Sequence, residues 1–350
     1  MSGAPQRIGL VSSAVPLIDG GARFIVRWLA ERLTAAGHRV EEVLLPSSDD
    51  PATLLHQMAA WRMIDLDAHF DRIVTFRPPS HLVRHRRKMC WFIHHIRIFY
   101  DLWGPEHGHL PDTPEMRGIR AAMHRADTRA LAEAHGLFSN SRVVAERVRR
   151  FNGLSPQVLY PPVQRPELFV PGPFGDAIVS VCRMEAHKRQ HLLIEAMAHT
   201  RTPVRLHLAG LTSDPAYHDR LRALVAQHGL EAWVTLDHRW ITEEEKAALL
   251  SGALANAYLP VDEDSYGYPT LEAAHARRAT VTTPDSGGVM EFVRDGVEGI
   301  IAPAKPAALA AAFDALYEDR ARAARLGAAA EARVAELGVT WDAVIARLLA

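Results

Sequence analysis

Two carboxylates, Asp264 and Glu272, stand eight positions apart on either side of the loop sequence Ser-Tyr-Gly-Tyr-Pro. Glu272 falls near the start of a predicted helix, and the backbone N–H groups at a helix N-terminus favour an anion. A glycine pair, Gly287 and Gly288, follows. We therefore expect this stretch to bind a phosphate flanked by hydroxyl groups. The alternative is that Glu272 only favours the helix dipole and that Asp264 is a turn or capping residue.

A second set of candidates is basic. Arg183 and Lys188 follow the apolar run at 177–182, which predicts a buried strand. Both then lie on a strand-to-helix connection at the carboxyl end of a parallel strand, which is the edge where open sheets bind ligands. Two fixed cations there suit a diphosphate leaving group, whereas the alternative is a pair of solvated surface cations.

Adjacent glycines, Gly20 and Gly21, lie between the first predicted strand and the first predicted helix. Glycines in this position allow the backbone to approach a phosphate closely. The sequence has neither the G-x-G-x-x-G fingerprint of dinucleotide binding nor the G-x-x-x-x-G-K-[ST] motif of P-loop enzymes. Both the dehydrogenase and the nucleotide-hydrolase interpretations are therefore disfavoured.

Two histidines, His94 and His95, end an apolar run at 89–93. Neighbouring side chains at a strand end point in opposite directions, so only one of the two can face a ligand. A metal site built from this pair is therefore disfavoured. A single histidine can hold or exchange a proton near neutral pH, and the alternative is a structural histidine in the core.

The elements that position these residues form an α/β pattern. Short apolar runs alternate with helix-length amphipathic segments, and this alternation occurs twice, which is typical of two parallel sheets covered by helices. Five prolines between Leu159 and Gly175 mark a linker between the two rounds. We therefore predict a Rossmann-like domain at 1–165, a second at 166–335, and a C-terminal helix at 336–350 that crosses back to the first domain.

Composition limits the function classes. The chain has 350 residues, 48% of them hydrophobic and 23% charged, which predicts an ordinary globular protein. Its formal charge of −1 argues against nucleic acid as a partner. Cys90 and Cys182 form no C-x-x-C pair, which argues against a thiolate metal site and for a reducing compartment. With no apolar run near the ~20 residues of a membrane span and no signal-peptide pattern, the predicted location is the cytoplasm.

The first 165 residues are nonetheless basic, with 22 basic and 16 acidic side chains. Part of this charge lies in two clusters: Arg84, Arg86, Arg87 and Lys88, with His85 among them, and Arg142, Arg147, Arg149 and Arg150. One hypothesis is that the clusters attract an anionic membrane surface or a phosphate-linked lipid acceptor. The alternative is a solvated basic face.

In this order, the elements resemble the retaining GT-B glycosyltransferases of family 4. Arg183 and Lys188 are similar to the family's phosphate-binding Arg and Lys, and the stretch 264–272 resembles its E-x7-E motif, with Asp in place of the first Glu. The segment 158–163 resembles a further landmark before the linker. The resemblance covers nearly the whole chain. It implies two facing Rossmann-like domains with an interdomain cleft, an acceptor domain at 1–165 and a nucleotide-sugar donor domain at 166–335.

The resemblance also implies roles for individual residues. His94 matches the family's histidine near the donor sugar, Glu272 would hold the ribose hydroxyls, and the carboxylate at 264 would bind donor sugar hydroxyls. Asp264 is shorter than Glu by one methylene, so either the loop lies closer to the sugar, a water bridges the two, or the donor has a different hydroxyl pattern. The implied catalytic set is His94, Arg183, Lys188, Asp264 and Glu272. The implied donor contacts are Gly20, Gly21, Arg183, Lys188, Arg239, Trp240, Asp264, Ser265, Tyr266, Gly267, Tyr268 and Glu272.

The implied reaction is hexosyl transfer from a UDP- or GDP-sugar to a hydroxyl of a glycan, glycolipid or small molecule. It proceeds on the front face with retention, without a covalent intermediate, and needs no metal or other cofactor because two cations are available. Three alternatives within this fold are an inverting transferase, a sugar-nucleotide epimerase and a phosphorylase. A different class is a catalytically silent protein that only binds sugar nucleotides.

Overall fold

The structure is a computed structural model that describes residues 4–14, 21–104, 107, 109–263 and 265–350, with only the backbone of residues 21 and 22. It divides into two compact units: Met1–Pro161 with Val339–Ala350, and Pro162–Gly338. Each unit holds one six-stranded sheet in which all pairings are parallel. The predicted α/β class with two Rossmann-like sheets is therefore confirmed.

The first unit is built from short buried strands and capped helices. Its strands are β1 (Arg7–Ala14), β2 (Arg39–Pro46), β3 (Arg72–Thr75), β4 (Lys88–Phe92), β5 (Gly136–Ser139) and β6 (Gln157–Val158). Its first helices are α1 (Gly21–Ala35), α2 (Pro51–Met63), α3 (Pro114–Ala132) and α4 (Arg142–Asn152). The strand order is β2-β1-β3-β4-β5-β6.

The helices α2 and α3 are not among the elements predicted from the sequence. Each begins with a proline after a capping residue, Asp50 or Thr113, whose side chain accepts a backbone N–H of the first turn.

The second unit repeats the architecture with a different strand order. Its strands are β7 (Ala177–Val181), β8 (Arg205–Ala209), β9 (Val234–Asp237), β10 (Ala255–Ala257), β11 (Thr280–Thr282) and β12 (Gly299–Ile301). Its helices are α5 (Gln190–Met197), α6 (Pro215–Gln227), α7 (Glu243–Ser251), α8 (Tyr268–His275), α9 (Pro306–Glu318) and α10 (Arg320–Glu336). The order β12-β11-β10-β7-β8-β9 reverses between β7 and β10. Open α/β sheets bind ligands at the carboxyl ends of the strands beside such a reversal.

The last helix, α11 (Trp341–Leu349), returns to the first unit. It contacts α1, and the buried guanidinium of Arg72 donates to the carbonyl oxygens of Leu348 and Ala350, the latter at 3.0 Å. Burial of Arg72 is therefore coupled to the docking of the chain end. No helix within the described parts of the chain combines the length and the apolar character needed to cross a membrane.

Candidate functional site

The candidate site lies in the second unit, at the carboxyl ends of β7 and β10. The connection after β7 carries Arg183 and a short 3-10 turn at Ala186–Lys188, and α5 follows. The connection after β10 carries the loop that leads into α8. Because these two strands are neighbours, the predicted cations and the predicted anion-binding loop come to the same edge of the sheet.

Lys188 is the link between the two connections. Its side chain is 9% exposed, and its Nζ donates to the hydroxyl of Tyr258 at 2.8 Å and forms an ion pair with Oε2 of Glu263. The Tyr258 hydroxyl in turn donates to the same Glu263 oxygen at 2.9 Å. Burial raises the pKa of Glu263, but the charge and hydrogen bond of Lys188 outweigh this, so its pKa stays below the usual value. Lys188, which is predicted to bind a phosphate, therefore already has a counter-ion within the protein.

Arg183 is more open. Its side chain is 54% exposed, and its Nη1 lies 3.6 Å from Oε1 of Glu185, whose side chain is 14% exposed. An exposed guanidinium with one loose ionic contact can turn toward an incoming anion at small cost. This placement fits the predicted role of Arg183 as a phosphate ligand.

Glu272 lies inside α8 and is 2% exposed. Its Oε1 accepts from Nζ of Lys246 at 2.6 Å, and the same Nζ lies 2.8 Å from Oε1 of Glu243. Burial raises the pKa of Glu272, and the charge of Lys246 opposes this rise. For Lys246, burial lowers the pKa, but the charges of the two carboxylates outweigh it and leave the pKa raised. One cation on α7 therefore compensates two carboxylates.

The loop before α8 is fixed by close backbone packing. Gly267, the residue before the helix, has φ 69°, and a Cβ there would overlap the ring of Tyr258. Gly287 has φ 62°, and its Cβ would overlap the backbone N and O of Glu263, while the N–H of Gly288 donates to the carbonyl of Glu263 at 2.8 Å. Two neighbouring segments thus hold the backbone around Glu263.

Other predicted donor contacts in this loop differ in accessibility. Ser265 is partly exposed, and its hydroxyl accepts the N–H of Gly267 at 3.4 Å. Tyr266 is 1% exposed and packs against Phe292, so only its backbone can serve a ligand. Tyr268 opens α8, and burial raises the pKa of its hydroxyl far above the usual value, which keeps it neutral. Asp264 lies outside the described residues.

The predicted base-binding pair, Arg239 and Trp240, follows β9, two strands away from β7 in the sheet. The Arg239 guanidinium lies 3.0 Å from Asp237 and 2.7 Å from Glu245 on α7, so its charge is compensated by two carboxylates. The Trp240 side chain is 61% exposed. The indole face is thus the more accessible of the two groups.

His94 and His95 lie just after the end of β4 and differ in exposure. His95 is 1% exposed, its Nε2 donates to Oδ1 of Asn152 at 2.9 Å, and burial lowers its pKa to about 4. His94 is partly exposed, and its Nδ1 donates to the carbonyl of His95 at 2.7 Å. In neutral His94 this bond leaves Nε2 as the acceptor. Of the two predicted glycines, Gly20 lies outside the described residues and Gly21 begins α1.

The hypothesis of a basic surface needs correction at three residues. His85 is buried, and its Nε2 donates to the carbonyl of Phe70 at 3.1 Å. Lys88 is 1% exposed, and its Nζ donates to the carbonyls of His81 at 2.8 Å and Ala130 at 2.9 Å. Arg147 is also buried, and its Nε lies 3.1 Å from Asp101. Including His85, Lys88 and Arg147 in a membrane-facing surface is therefore wrong, because all three side chains are buried and have polar partners inside the unit.

Four residues of the site are not among those predicted from the sequence: Tyr258, Glu263, Lys246 and Arg189. Arg189 donates to the carbonyls of Leu259 and Pro260 and to Asp285, and so ties the end of β10 to the segment after β11. Arg189 directly follows Lys188 in the sequence, and this position is the signal that could have identified it. Within the described residues, no group of three or more His, Cys, Asp or Glu side chains is arranged to hold a metal ion.

The sequence of the chain is similar to those of sugar-transferring enzymes. Residues 175–333 match the family model of the glycosyl transferases group 1. The chain is 25% identical over 311 residues to the alpha-1,3/1,6-mannosyltransferase ALG2 of Homo sapiens, a match that spans 80% of this chain and 72% of that protein.

Solved structures resemble the whole chain. Sucrose-phosphate synthase from Thermosynechococcus elongatus aligns with a TM-score of 0.75 at 20% identity, covering 98% of this chain and 97% of that one. HepE from Anabaena in complex with UDP aligns with a TM-score of 0.71 at 18% identity, covering 98% and 99%. At these identities the likeness establishes the fold.

Proposed function

Since this chain is a GT-B glycosyltransferase whose second unit belongs to the glycosyl transferases group 1 family, we propose that it transfers a hexosyl unit from a UDP- or GDP-sugar with retention. The acceptor is a hydroxyl group of a glycan, glycolipid or small molecule. The observation that carries the proposal is the position of these residues at the carboxyl ends of β7 and β10. Arg183 and Lys188 lie there beside the loop that leads to Glu272, at the point where the strand order reverses.

The donor assignment rests on what this edge offers. The family resemblance assigns the ribose hydroxyls to the carboxylate of Glu272, which is 2% exposed and pairs with Lys246 through Oε1, while Arg183 and Lys188 complement a diphosphate. The structures of HepE include complexes with UDP and with UDP-glucose. UDP and UDP-sugars are therefore the first ligands to test, with GDP-sugars second.

In the proposed reaction, the acceptor oxygen bonds to the anomeric carbon on the face from which the diphosphate departs. The bond between the anomeric carbon and the phosphate oxygen breaks, and the acceptor proton passes to the departing diphosphate. Negative charge grows on that diphosphate, so Arg183, Lys188 and the N–H groups before α8 stabilise the transition state more than the ground state. No side chain forms a covalent intermediate.

His94 has a supporting place in this proposal. The family resemblance assigns it to the donor sugar, and its Nδ1 bond to the His95 carbonyl fixes the ring and leaves Nε2 for a ligand. We further propose that no metal cofactor is needed, since Arg183 and Lys188 supply positive charge. Loss of transfer on adding a chelator, with recovery on Mg²⁺ or Mn²⁺, would contradict this part.

A peripheral membrane contact stays a hypothesis for the exposed arginines of the two clusters, which are Arg84, Arg86, Arg87, Arg142, Arg149 and Arg150. Co-sedimentation with vesicles of neutral lipid alone and with added anionic lipid tests it. Binding that does not depend on anionic lipid counts against an electrostatic contact.

The experiment that tests the function has two stages. A thermal-shift panel of UDP, GDP and their hexose conjugates first identifies the donor. Transfer to candidate acceptors is then followed by NMR of the anomeric proton. A product with inverted configuration rejects the retaining mechanism, and donor binding without turnover under any acceptor supports the silent binding protein instead.

A further inference from the structure

Lys188, Tyr258 and Glu263 contact one another in a triangle of polar groups. Its carboxylate, Glu263, lies outside the predicted donor motif. An ammonium group has three protons to donate. Among the described residues, Lys188 gives one to the Tyr258 hydroxyl and one to Glu263, which leaves one for a ligand. The pair has no net charge before any ligand binds.

The position of Glu263 is imposed by the backbone. Asp262 has φ 45°, an uncommon conformation for a residue with a side chain, and its N–H donates to the carbonyl of Asp285 at 2.9 Å. Gly287 lies against the backbone of Glu263 so closely that no side chain fits between them. A strained residue and a glycine contact thus aim this carboxylate at Lys188, which argues against an incidental surface pairing.

We propose that Glu263 is an internal counter-ion of Lys188 that weakens the retention of the nucleoside diphosphate product and so speeds its release. This inference rests on the proposed function, since it takes Lys188 as a ligand of the diphosphate. A diphosphate bound at Lys188 lies near the Glu263 carboxylate, and like charges at short distance repel.

The repulsion discriminates between donor and product. In the sugar nucleotide both phosphates are esterified, whereas the free nucleoside diphosphate has a terminal phosphate with a second ionisation near pH 6 and gains about one negative charge. Glu263 therefore disfavours the product more than the donor. A site with two cations and no counter-ion would instead hold its product tightly and be inhibited by it.

The experiment compares wild type with Glu263→Gln, which keeps the size and an acceptor oxygen but removes the charge. Calorimetry gives the Kd for UDP and GDP and for the corresponding nucleosides, and stopped-flow displacement gives the release rate. We expect Glu263→Gln to bind the preferred diphosphate roughly tenfold tighter and to release it correspondingly more slowly, with unchanged nucleoside affinity. The kcat should fall while kcat/KM for the donor is kept.

Two further variants secure the result. Glu331→Gln removes an exposed carboxylate paired with Arg277 in the same unit and should behave as wild type. Glu263→Ala removes the charge without an amide and should also tighten diphosphate binding. Unchanged or weaker diphosphate affinity in both Glu263 variants overturns the inference, as does an equal gain for the nucleoside. If wild type binds neither UDP nor GDP, the proposed function fails, and this inference fails with it.

Discussion

Each unit holds a set of buried titratable side chains that bond to one another, and the two sets differ. In the first unit the set lies inside the core and consists of Asp127, His81 and Tyr100. Asp127 accepts from His81 at 2.9 Å and from the Tyr100 hydroxyl at 2.6 Å, and the exposed fractions of the His81 and Asp127 side chains are 0% and 6%. Burial raises the pKa of Asp127, but His81 and Tyr100 outweigh it and keep the pKa low.

In the second unit the set that bears on the candidate site consists of two ion pairs at the carboxyl edge of the sheet. Lys188 pairs with Glu263 and Lys246 with Glu272, and the half-exposed Arg183 stands on the same connection as Lys188. A closed network such as that of Asp127 can serve only the packing of its unit. An ion pair at an open edge can exchange one partner for a ligand, so burial of charge alone does not identify a functional site.

The largest expected effect breaks the closed network. Asp127→Ala leaves His81 and Tyr100 without their shared acceptor, and removing one member of such a buried set costs about 3–5 kcal/mol of unfolding free energy. Urea unfolding measures the loss. Asp127→Asn, which keeps an acceptor oxygen, should lose less. If donor affinity of the folded Asp127→Ala protein fell as sharply as its stability, this network would belong to the functional site after all.

The second effect sharpens the other side of the comparison. Arg183→Ala removes an exposed cation that would stabilise the departing diphosphate, and loss of one such group lowers kcat roughly a hundredfold. Stability should change little because the side chain is half exposed. Steady-state kinetics measures the change in kcat, and thermal unfolding measures the change in stability. Arg277→Ala is the matched control, since Arg277 is also half exposed and pairs with Glu331. Transfer by Arg183→Ala at the wild-type rate contradicts the assignment.

Much of this organisation is predictable from the sequence. The apolar runs predicted the two parallel sheets, because buried parallel strands need continuous hydrophobic sequence. The ordered motifs led to the GT-B family 4 glycosyltransferases, and this recognition is confirmed. Glu272 and Lys188 could be singled out because each is fixed by spacing from a strand or helix end.

The partners of these residues could not be predicted. Lys246 reaches Glu272 across 26 positions, from a helix whose direction depends on the whole unit. In the acidic run at 262–264, motif spacing selects Asp264, yet the positive φ of Asp262 turns Glu263 toward Lys188. Such a choice depends on backbone dihedral angles that the residue types alone do not specify.

An intermediate effect concerns acid stability of the first unit. Burial lowers the pKa of His95 from 6.5 to about 4, so the unfolded chain binds this proton more readily than the folded one. The contribution of His95 to stability is therefore complete above about pH 6.5 and declines as pH falls toward 4. We expect a loss of about 2 kcal/mol between pH 7 and pH 5 from this group. Urea unfolding across that range measures it.

The comparison variant is His95→Gln, whose amide can still donate to Asn152. It should be less stable at pH 7 but should lose less stability on acidification than wild type, because Gln does not titrate. Parallel pH profiles of the two proteins would show that His95 is not the group responsible.

The smallest effect tests whether the Lys246 ion pair serves the ligand or only the fold. Lys246→Met removes the cation that opposes the rise in the pKa of Glu272. Glu272 then takes up a proton more easily, and a neutral carboxyl accepts weaker hydrogen bonds than a carboxylate, by about 1 kcal/mol or roughly five- to tenfold in affinity. Because the pKa of Glu272 rises in the variant, acidification should begin to increase the donor KM at a higher pH than in wild type. In alkaline solution the KM should recover.

Lys246→Arg keeps the charge and should keep the wild-type profile, as should Lys305→Met at an exposed position before α9. Coincident pH profiles of the donor KM for Lys246→Met and wild type would mean that Lys246 supports packing alone. A buried ion pair beside the open edge of a sheet would then be as inaccessible to ligands as the network around Asp127.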